Sequence, residues 1–292
     1  VSLVGSEMCI RDSYDVGVSL WSIDHHLGIR HSQLNASLAS YGDLRRYNTI
    51  IIPSGRSLNE YTLKILKDWV SQGGTLIAHN SSTRSLASDK GIGSVKQLQN
   101  TFENSKEYNF DLMREIYALD NDINKDMTNE NNVNFELSYP WEEIEEFLSE
   151  NELKDRDKWQ SIFMPSGSFV AGRIDNEHWL TFGTTETIPV LYSNYPILMT
   201  RSNSDAPVRI GNMIPNNEID VPRVVNWSSI PAGFDLNVRM SGLVWPEASQ
   251  RIANSAYLTR ERVGNGQVIL FSGEPNFRGC LLYTSDAADE RL

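Results

Sequence analysis

Cysteine is nearly absent from this chain. The 292 residues hold two, Cys9 and Cys280, and each sits in a terminal segment with no physical logic as part of a fold. Leu3-Val4-Gly5-Ser6-Glu7-Met8-Cys9-Ile10-Arg11-Asp12-Ser13 matches one reading frame of a transposase-based sequencing-library adapter. Cys280-Leu281-Leu282-Tyr283-Thr284-Ser285-Asp286-Ala287-Ala288-Asp289-Glu290 matches the opposite adapter. A signal peptide does not account for the first segment, because its apolar stretch is missing and Glu7 interrupts it. The expected organisation is adapter-derived residues 1–13, a native segment 14–279 truncated at both ends, and adapter-derived residues 280–292. That native segment contains no cysteine, which excludes a disulfide framework, a thiolate metal site and a cysteine nucleophile.

Basic charge is also in deficit. Across the chain 26 Lys and Arg face 38 Asp and Glu, a net charge of −12. Without Arg11 and Arg291 the basic count falls to 24. Without Glu7, Asp12, Asp286, Asp289 and Glu290 the acidic count falls to 33, so the native segment carries −9. An acidic chain repels phosphate backbones, and nucleic acid is not expected as a partner. No run approaches the roughly 18 apolar residues of a membrane span. The native segment is long enough to bury a core as one large domain.

The first half alternates strand and helix signals. Val16, Val18 and Leu20 alternate like a strand over 15–21. Thr49-Ile50-Ile51-Ile52-Pro53 is a β-branched run suited to a parallel strand buried on both faces. Ser57 and Glu60 have capping-box spacing, and the helix after them places Tyr61, Ile65 and Trp69 on one stripe with Leu66 and Val70 beside it. Gly73-Gly74 ends that helix as a glycine cap, and Thr75-Leu76-Ile77-Ala78 is the next buried strand. The middle, about 101–165, is polar and reads as an insertion, with helices over 110–119 and 141–153 and a loop over 121–134. Its acidic run Glu142-Glu143-Ile144-Glu145-Glu146 reads as a solvated helix face rather than a calcium site or basic-partner site. The last third turns to strands: a hairpin pairing 169–171 with 179–182, candidates at 188–199 and 243–245, and a final hairpin of 255–262 and 267–271 about Gly264-Asn265-Gly266.

Five segments together resemble a known family: Leu44-Arg45-Arg46-Tyr47-Asn48-Thr49-Ile50-Ile51-Ile52-Pro53-Ser54, Trp69-Val70-Ser71-Gln72-Gly73-Gly74-Thr75-Leu76-Ile77-Ala78, Ser241-Gly242-Leu243-Val244-Trp245-Pro246-Glu247, Gly264-Asn265-Gly266-Gln267-Val268-Ile269-Leu270-Phe271, and the closing Glu274-Pro275-Asn276-Phe277-Arg278-Gly279. They are similar to the class I glutamine-amidotransferase-like domain that follows the peptidase domain of bacterial zinc carboxypeptidase-like proteins. The resemblance implies an α/β fold of the amidotransferase-like (flavodoxin-like) kind: a mostly parallel sheet with helices on both faces, a helical insertion and C-terminal β-hairpins. It also implies an upstream peptidase domain of the same chain as partner, zinc held in that upstream domain, and export to the periplasm or beyond.

Active amidotransferases carry a cysteine on the sharp turn after the strand equivalent to 75–78. Here that turn is His79-Asn80-Ser81-Ser82. Their partner histidine lies in a His-Pro-Glu-like sequence after the last strand, where this chain has Glu274-Pro275. Amide hydrolysis needs the thiolate, so the expected role is a non-catalytic accessory domain. The zinc peptidase motif His-x-x-Glu is absent too. The residues three after His25, His26, His31, His79 and His178 are Gly28, Ile29, Leu34, Ser82 and Thr181.

Two alternatives compete with that reading. One is a stand-alone hydrolase using Ser81 or Ser82 with His79. The other is a sugar-binding or oligomerisation domain of a glycosidase, as in the amidotransferase-like middle domains of some β-galactosidases. Asp24, His25, His26 and His31 form the densest group of metal-ligand types but read as a polar turn. His178 reads as structural, and Trp245 as packing rather than lining a carbohydrate or peptide cleft. Ligands of open α/β sheets gather at the carboxyl ends of the strands. A ligand crevice is therefore expected around Ser54, Gly55, His79, Asn80, Ser81 and Glu274.

Overall fold

The computed structural model of the chain describes residues 2–5, 13–35, 43–55, 57–120, 149–201, 203–226 and 228–276. In chain order the elements are β1 (Ser2–Gly5), α1 (Ser13–Trp21), β2 (Ser32–Asn35), β3 (Thr49–Ile52), α2 (Glu60–Ser71), β4 (Thr75–His79), α3 (Asn80–Leu86), β5 (Lys96–Gln97), α4 (Ser105–Asp120) and α5 (Glu150–Ser161). There follow β6 (Ser166–Ile174), β7 (Thr187–Ser193), β8 (Leu198–Met199), β9 (Ser204–Ile210), β10 (Asn212–Pro215), β11 (Arg223–Val225), β12 (Ser228–Ile230), β13 (Phe234–Asn237) and β14 (Arg239–Ser241). The chain then forms α6 (Pro246–Ile252), β15 (Ala256–Val263) and β16 (Gly266–Phe271).

One mixed sheet runs through the molecule in the order β14-β6-β9-β15-β16-β4-β3-β1-β2. From β2 to β16 every pairing is parallel; from β16 to β14 every pairing is antiparallel. The α/β class expected from the sequence is what forms. β3 and β4 lie side by side and parallel, Ile50 opposite Leu76 and Ile52 opposite Ala78. β1 falls in the segment read as adapter. Its ladder to β2 and β3 is a backbone contact, which any short extended segment can make.

Side chains alternate across the sheet, so neighbouring residues serve opposite faces. Val268 and Leu270 of β16 join Ile50, Ile52, Leu76 and Ala78 in a core beneath α2, which contributes Leu63, Leu66, Trp69 and Val70. Ile269 joins the second core on the other face, with Tyr108 of α4, Ile252 of α6 and the inward residues of the antiparallel half. Both faces are covered by helices, as the continuous apolar run in β3 demands. Among the described residues no helix is long and apolar enough to cross a membrane.

The glycine cap of α2 forms as expected. Gly74 N–H donates to the Trp69 carbonyl and Gly73 N–H to that of Val70, the paired pattern of a Schellman ending. A Cβ at Gly74 would sit 2.5 Å from the Trp69 ring, so this position admits only glycine. In the final hairpin the left-handed backbone falls on Gly264 (φ 61°), as a two-residue turn with glycine first requires.

Several local expectations are corrected. Residues 15–21 are helical, within α1, and not a strand. Asn59, not Ser57, caps α2, its side chain accepting from Thr62 N–H at 2.8 Å. The buried stripe of α2 runs through Leu63, Leu66, Trp69 and Val70, while Tyr61 is exposed. β6 pairs with β7 rather than with 179–182, which form a short 3-10 turn from Trp179 to Thr181 and its exit. Residues 243–245 are not a strand but lead into α6. Residues 121–148, including the acidic run and most of the helix expected at 141–153, lie outside the described residues. The helix that follows is α5, opened by a capping box between Ser149 and Glu152.

Trp69 joins α2 to the segment before β3, its Nε1 donating to the Leu44 carbonyl at 2.9 Å. Trp69→Phe keeps an aromatic ring but removes the indole bond, leaving the Leu44 carbonyl with Tyr47 N–H alone. The expected cost is about 0.5–1.5 kcal/mol, read as a lower urea midpoint. An unchanged midpoint would show that water replaces the indole.

Candidate functional site

The parallel strands β3, β4 and β16 end at one edge, and the chain leaves each differently. β3 ends in Pro53-Ser54-Gly55, β16 in Ser272-Gly273-Glu274, and β4 turns directly into α3. The junction residue between β4 and α3 is Asn80, with φ 42°. A left-handed backbone at a non-glycine residue is uncommon. Asparagine tolerates it better than most because its short polar side chain bonds locally. The strand–elbow–helix shape thus passes through a strained residue whose side chain is a carboxamide.

Hydroxyl groups on α3 tie the elbow to its neighbours. Ser81 Oγ donates to the Gly55 carbonyl at 2.6 Å, accepts from Gly55 N–H at 2.7 Å, and lies 3.0 Å from Ser54 Oγ. Ser82 Oγ donates to the Pro53 carbonyl at 2.6 Å. Thr83 Oγ1 donates to the Phe271 carbonyl at 2.8 Å, and Ser85 Oγ accepts from Leu58 N–H at 3.0 Å. Ser82 and Thr83 are fully buried. A buried hydroxyl needs a partner, and these find theirs in backbone groups that the ends of β3 and β16 leave over.

On the other side of the elbow, Asn80 Nδ2 donates to Glu274 Oε1 at 3.4 Å, and Glu274 is buried. His79 is buried with its ring edge-on to Phe271, centroids 5.3 Å apart. Burial lowers its pKa from 6.5 to about 4, because a charged imidazole would lose its hydration there. The six residues placed at the crevice from the sequence fall into two touching groups: Ser54, Gly55 and Ser81 on one side, Asn80 and Glu274 on the other, with His79 beneath Asn80.

Chemically this edge offers an amide, a carboxylate and backbone groups. Ser82 has its proton on the Pro53 carbonyl, and Ser81 is bonded to Gly55 through its proton and one lone pair, with Ser54 Oγ beside it. The arrangement suits hydrogen bonding to a polar ligand better than acyl transfer, which needs a nucleophile bonded to its base. The sequence reading missed Thr83 and Ser85. The polar string Asn80-Ser81-Ser82-Thr83-Arg84-Ser85 looks like a surface loop by composition. Its place directly after a buried strand was the signal that it is interior.

The remaining candidates disperse. His25 and His26 are exposed and pack against Trp21, with centroids 5.3 and 4.2 Å away. His31 Nδ1 meets the Ile29 carbonyl. Among the described residues no three His, Cys, Asp or Glu converge as metal ligands. His178 accepts from Leu180 N–H and approaches Asp205 at 3.5 Å, anchoring a turn. Trp245, read as packing, is half exposed. It lies 6.4 Å from Phe163, which meets the exposed Trp159 at 5.2 Å.

No family model and no curated protein matches the chain. Among solved structures it is similar to a β-galactosidase from Bacillus circulans sp. alkalophilus (TM-score 0.47, 11% identity, covering 99% of this chain and 30% of that one). It is similar also to a ThuA-like protein from Bacteroides uniformis (0.43, 8%, 94% and 81%) and to a cytoplasmic protein from Salmonella typhimurium (0.41, 12%, 97% and 95%). The chain thus spans less than a third of the galactosidase's length.

His79 makes stability depend on pH. In the unfolded chain it takes up a proton near 6.5; in the folded protein it resists until about 4. Between these values the unfolded state binds more protons, so stability is complete above the upper value and falls with acidification, by up to about 3 kcal/mol. Urea unfolding at pH 7.5 and 4.5 measures this loss, and His79→Leu is expected to flatten it. An unaltered slope in that variant would assign the acid sensitivity elsewhere.

Proposed function

We propose that this chain is a non-catalytic, amidotransferase-like accessory domain of a zinc carboxypeptidase-like protein. One observation carries the reading: the elbow after β4 keeps the strained backbone of a nucleophile site, φ 42° at Asn80, but presents an amide bonded to Glu274. The neighbouring hydroxyls of Ser81 and Ser82 serve the backbone. The elbow here is a structural joint. The closing Glu274-Pro275-Asn276-Phe277-Arg278-Gly279 supports the carboxypeptidase-like parent, with its zinc in the upstream domain and this domain packed on it.

A second reading, a sugar-binding or oligomerisation domain of a glycosidase, is favoured by the exposed Trp159 and Trp245 on either side of the partly buried Phe163. An aromatic face stacks on a sugar ring or on a partner surface equally well.

The protein encoded by the unbroken reading frame separates the two. The accessory-domain reading expects an upstream His-x-x-Glu, bound zinc, and no labelling of Ser81 or Ser82 by a fluorophosphonate probe. A glycosidase barrel upstream would favour the second reading, and selective labelling at the elbow would overturn the non-catalytic assignment.

A further inference from the structure

We propose that a cavity at the far end of α3 binds a small polar carboxylate of the sugar-acid kind. The proposal does not rest on the identity of the parent protein. The cavity measures about 270 Å³ and is lined by Arg84, Arg251, Gln97, Gln99, Ser161 and Asn194, among others. Arg84 lies in the last turn of α3 and Arg251 in the last turn of α6. Two guanidinium groups from different helices therefore meet in one recess of a chain whose net charge is −12.

The recess is built by specific bonds. Arg251 is buried, and its Nε donates to Asp157 Oδ1 at 2.8 Å. Gln99 Nε2 donates to the other oxygen of that carboxylate at 3.4 Å. Arg84 Nη2 donates to the Asn194 carbonyl at 2.7 Å, and Asn194 adopts a left-handed backbone, φ 47°. Gln97 Nε2 in turn donates to the Arg84 carbonyl at 2.8 Å. Burial first, and repulsion from Arg251 as well, hold Arg84 below the usual guanidinium range. Gathering like charges in a partly desolvated recess is unfavourable unless an anion compensates.

The chemistry of the occupant follows from charge, shape and lining. Two guanidinium groups against the single carboxylate of Asp157 leave one positive charge, which a monoanion balances and a phosphate dianion overshoots. Guanidinium forks match the planar geometry of a carboxylate. The amides of Gln97, Gln99 and Asn194 and the hydroxyl of Ser161 suit hydroxyl groups on the rest of the ligand. At about 30 Å³ per water the cavity holds roughly nine waters, room for a molecule of about a dozen heavy atoms.

Isothermal titration calorimetry with sodium glucuronate, glucose and inorganic phosphate tests this. Glucuronate is expected to bind in the millimolar range or tighter, with glucose and phosphate each at least tenfold weaker. Arg84→Gln, which leaves the Arg251–Asp157 pair intact, is expected to lower glucuronate affinity at least tenfold. Arg84→Lys keeps the charge but loses the fork and is expected to fall between, with both variants' melting temperatures checking that they fold. Absence of heat from glucuronate, equal binding by Arg84→Gln, or a preference for phosphate would each overturn the proposal.

Discussion

Hydroxyls on a helix of seven residues hold together the carboxyl ends of three parallel strands. Ser81 and Ser82 reach the segment after β3, and Thr83 reaches the last residue of β16. Strand ends in a parallel sheet leave backbone carbonyls without ladder partners, and burying them unpaired is costly. Here the helix that follows the central strand supplies the donors. Asn80, at the junction of β4 and α3, takes the left-handed backbone, φ 42°. The hydroxyls that a hydrolase would use for attack are therefore committed to the scaffold.

The same constraint relates the two polar regions of the molecule. α3 begins at the elbow, where Asn80 meets Glu274, and carries Arg84 in its last turn beside the second recess. Between them Tyr195 presses on Gly273, whose Cβ, were there one, would lie 2.4 Å from the Tyr195 ring. The loop 194–197 thus borders both regions. In the antiparallel half, Glu261 of β15 accepts from the N–H groups of Ser94 and Val95 and pins the segment after α3. A short helix fixed at both ends keeps its side chains in place without help from length.

How much of this was legible in the sequence depended on whether the signal was local. The buried strands β3 and β4, the glycine cap after Trp69 and the final hairpin each carry chemistry within a few residues, and each forms where expected. Residues 15–21 misled because alternation over so few residues does not exclude a short helix, in which Val16 and Leu20, four apart, share a face. The pairing of β6 with β7 was missed because the apolar stretch at 179–182 looked like a nearer partner. α5 carries few apolar residues, yet its capping box of Ser149 and Glu152 was readable and passed over. At the elbow the residues were named correctly, but their bonding was not foreseeable. No pattern in Ser81-Ser82-Thr83 says that their partners are carbonyls 26 or more residues away. Arg84 and Arg251 are 167 positions apart, so only the fold brings them together.

The strained elbow between β4 and α3 is measured most directly by comparing two substitutions at Asn80. Glycine accepts a positive φ freely, whereas a β-branched residue resists it by about 1–3 kcal/mol. Asn80→Gly is expected to unfold in urea within about 1 kcal/mol of the parent chain, and Asn80→Val well below both. Equal stability of the glycine and valine variants would contradict a left-handed residue between β4 and α3, and with it the description of the elbow as a strained structural joint.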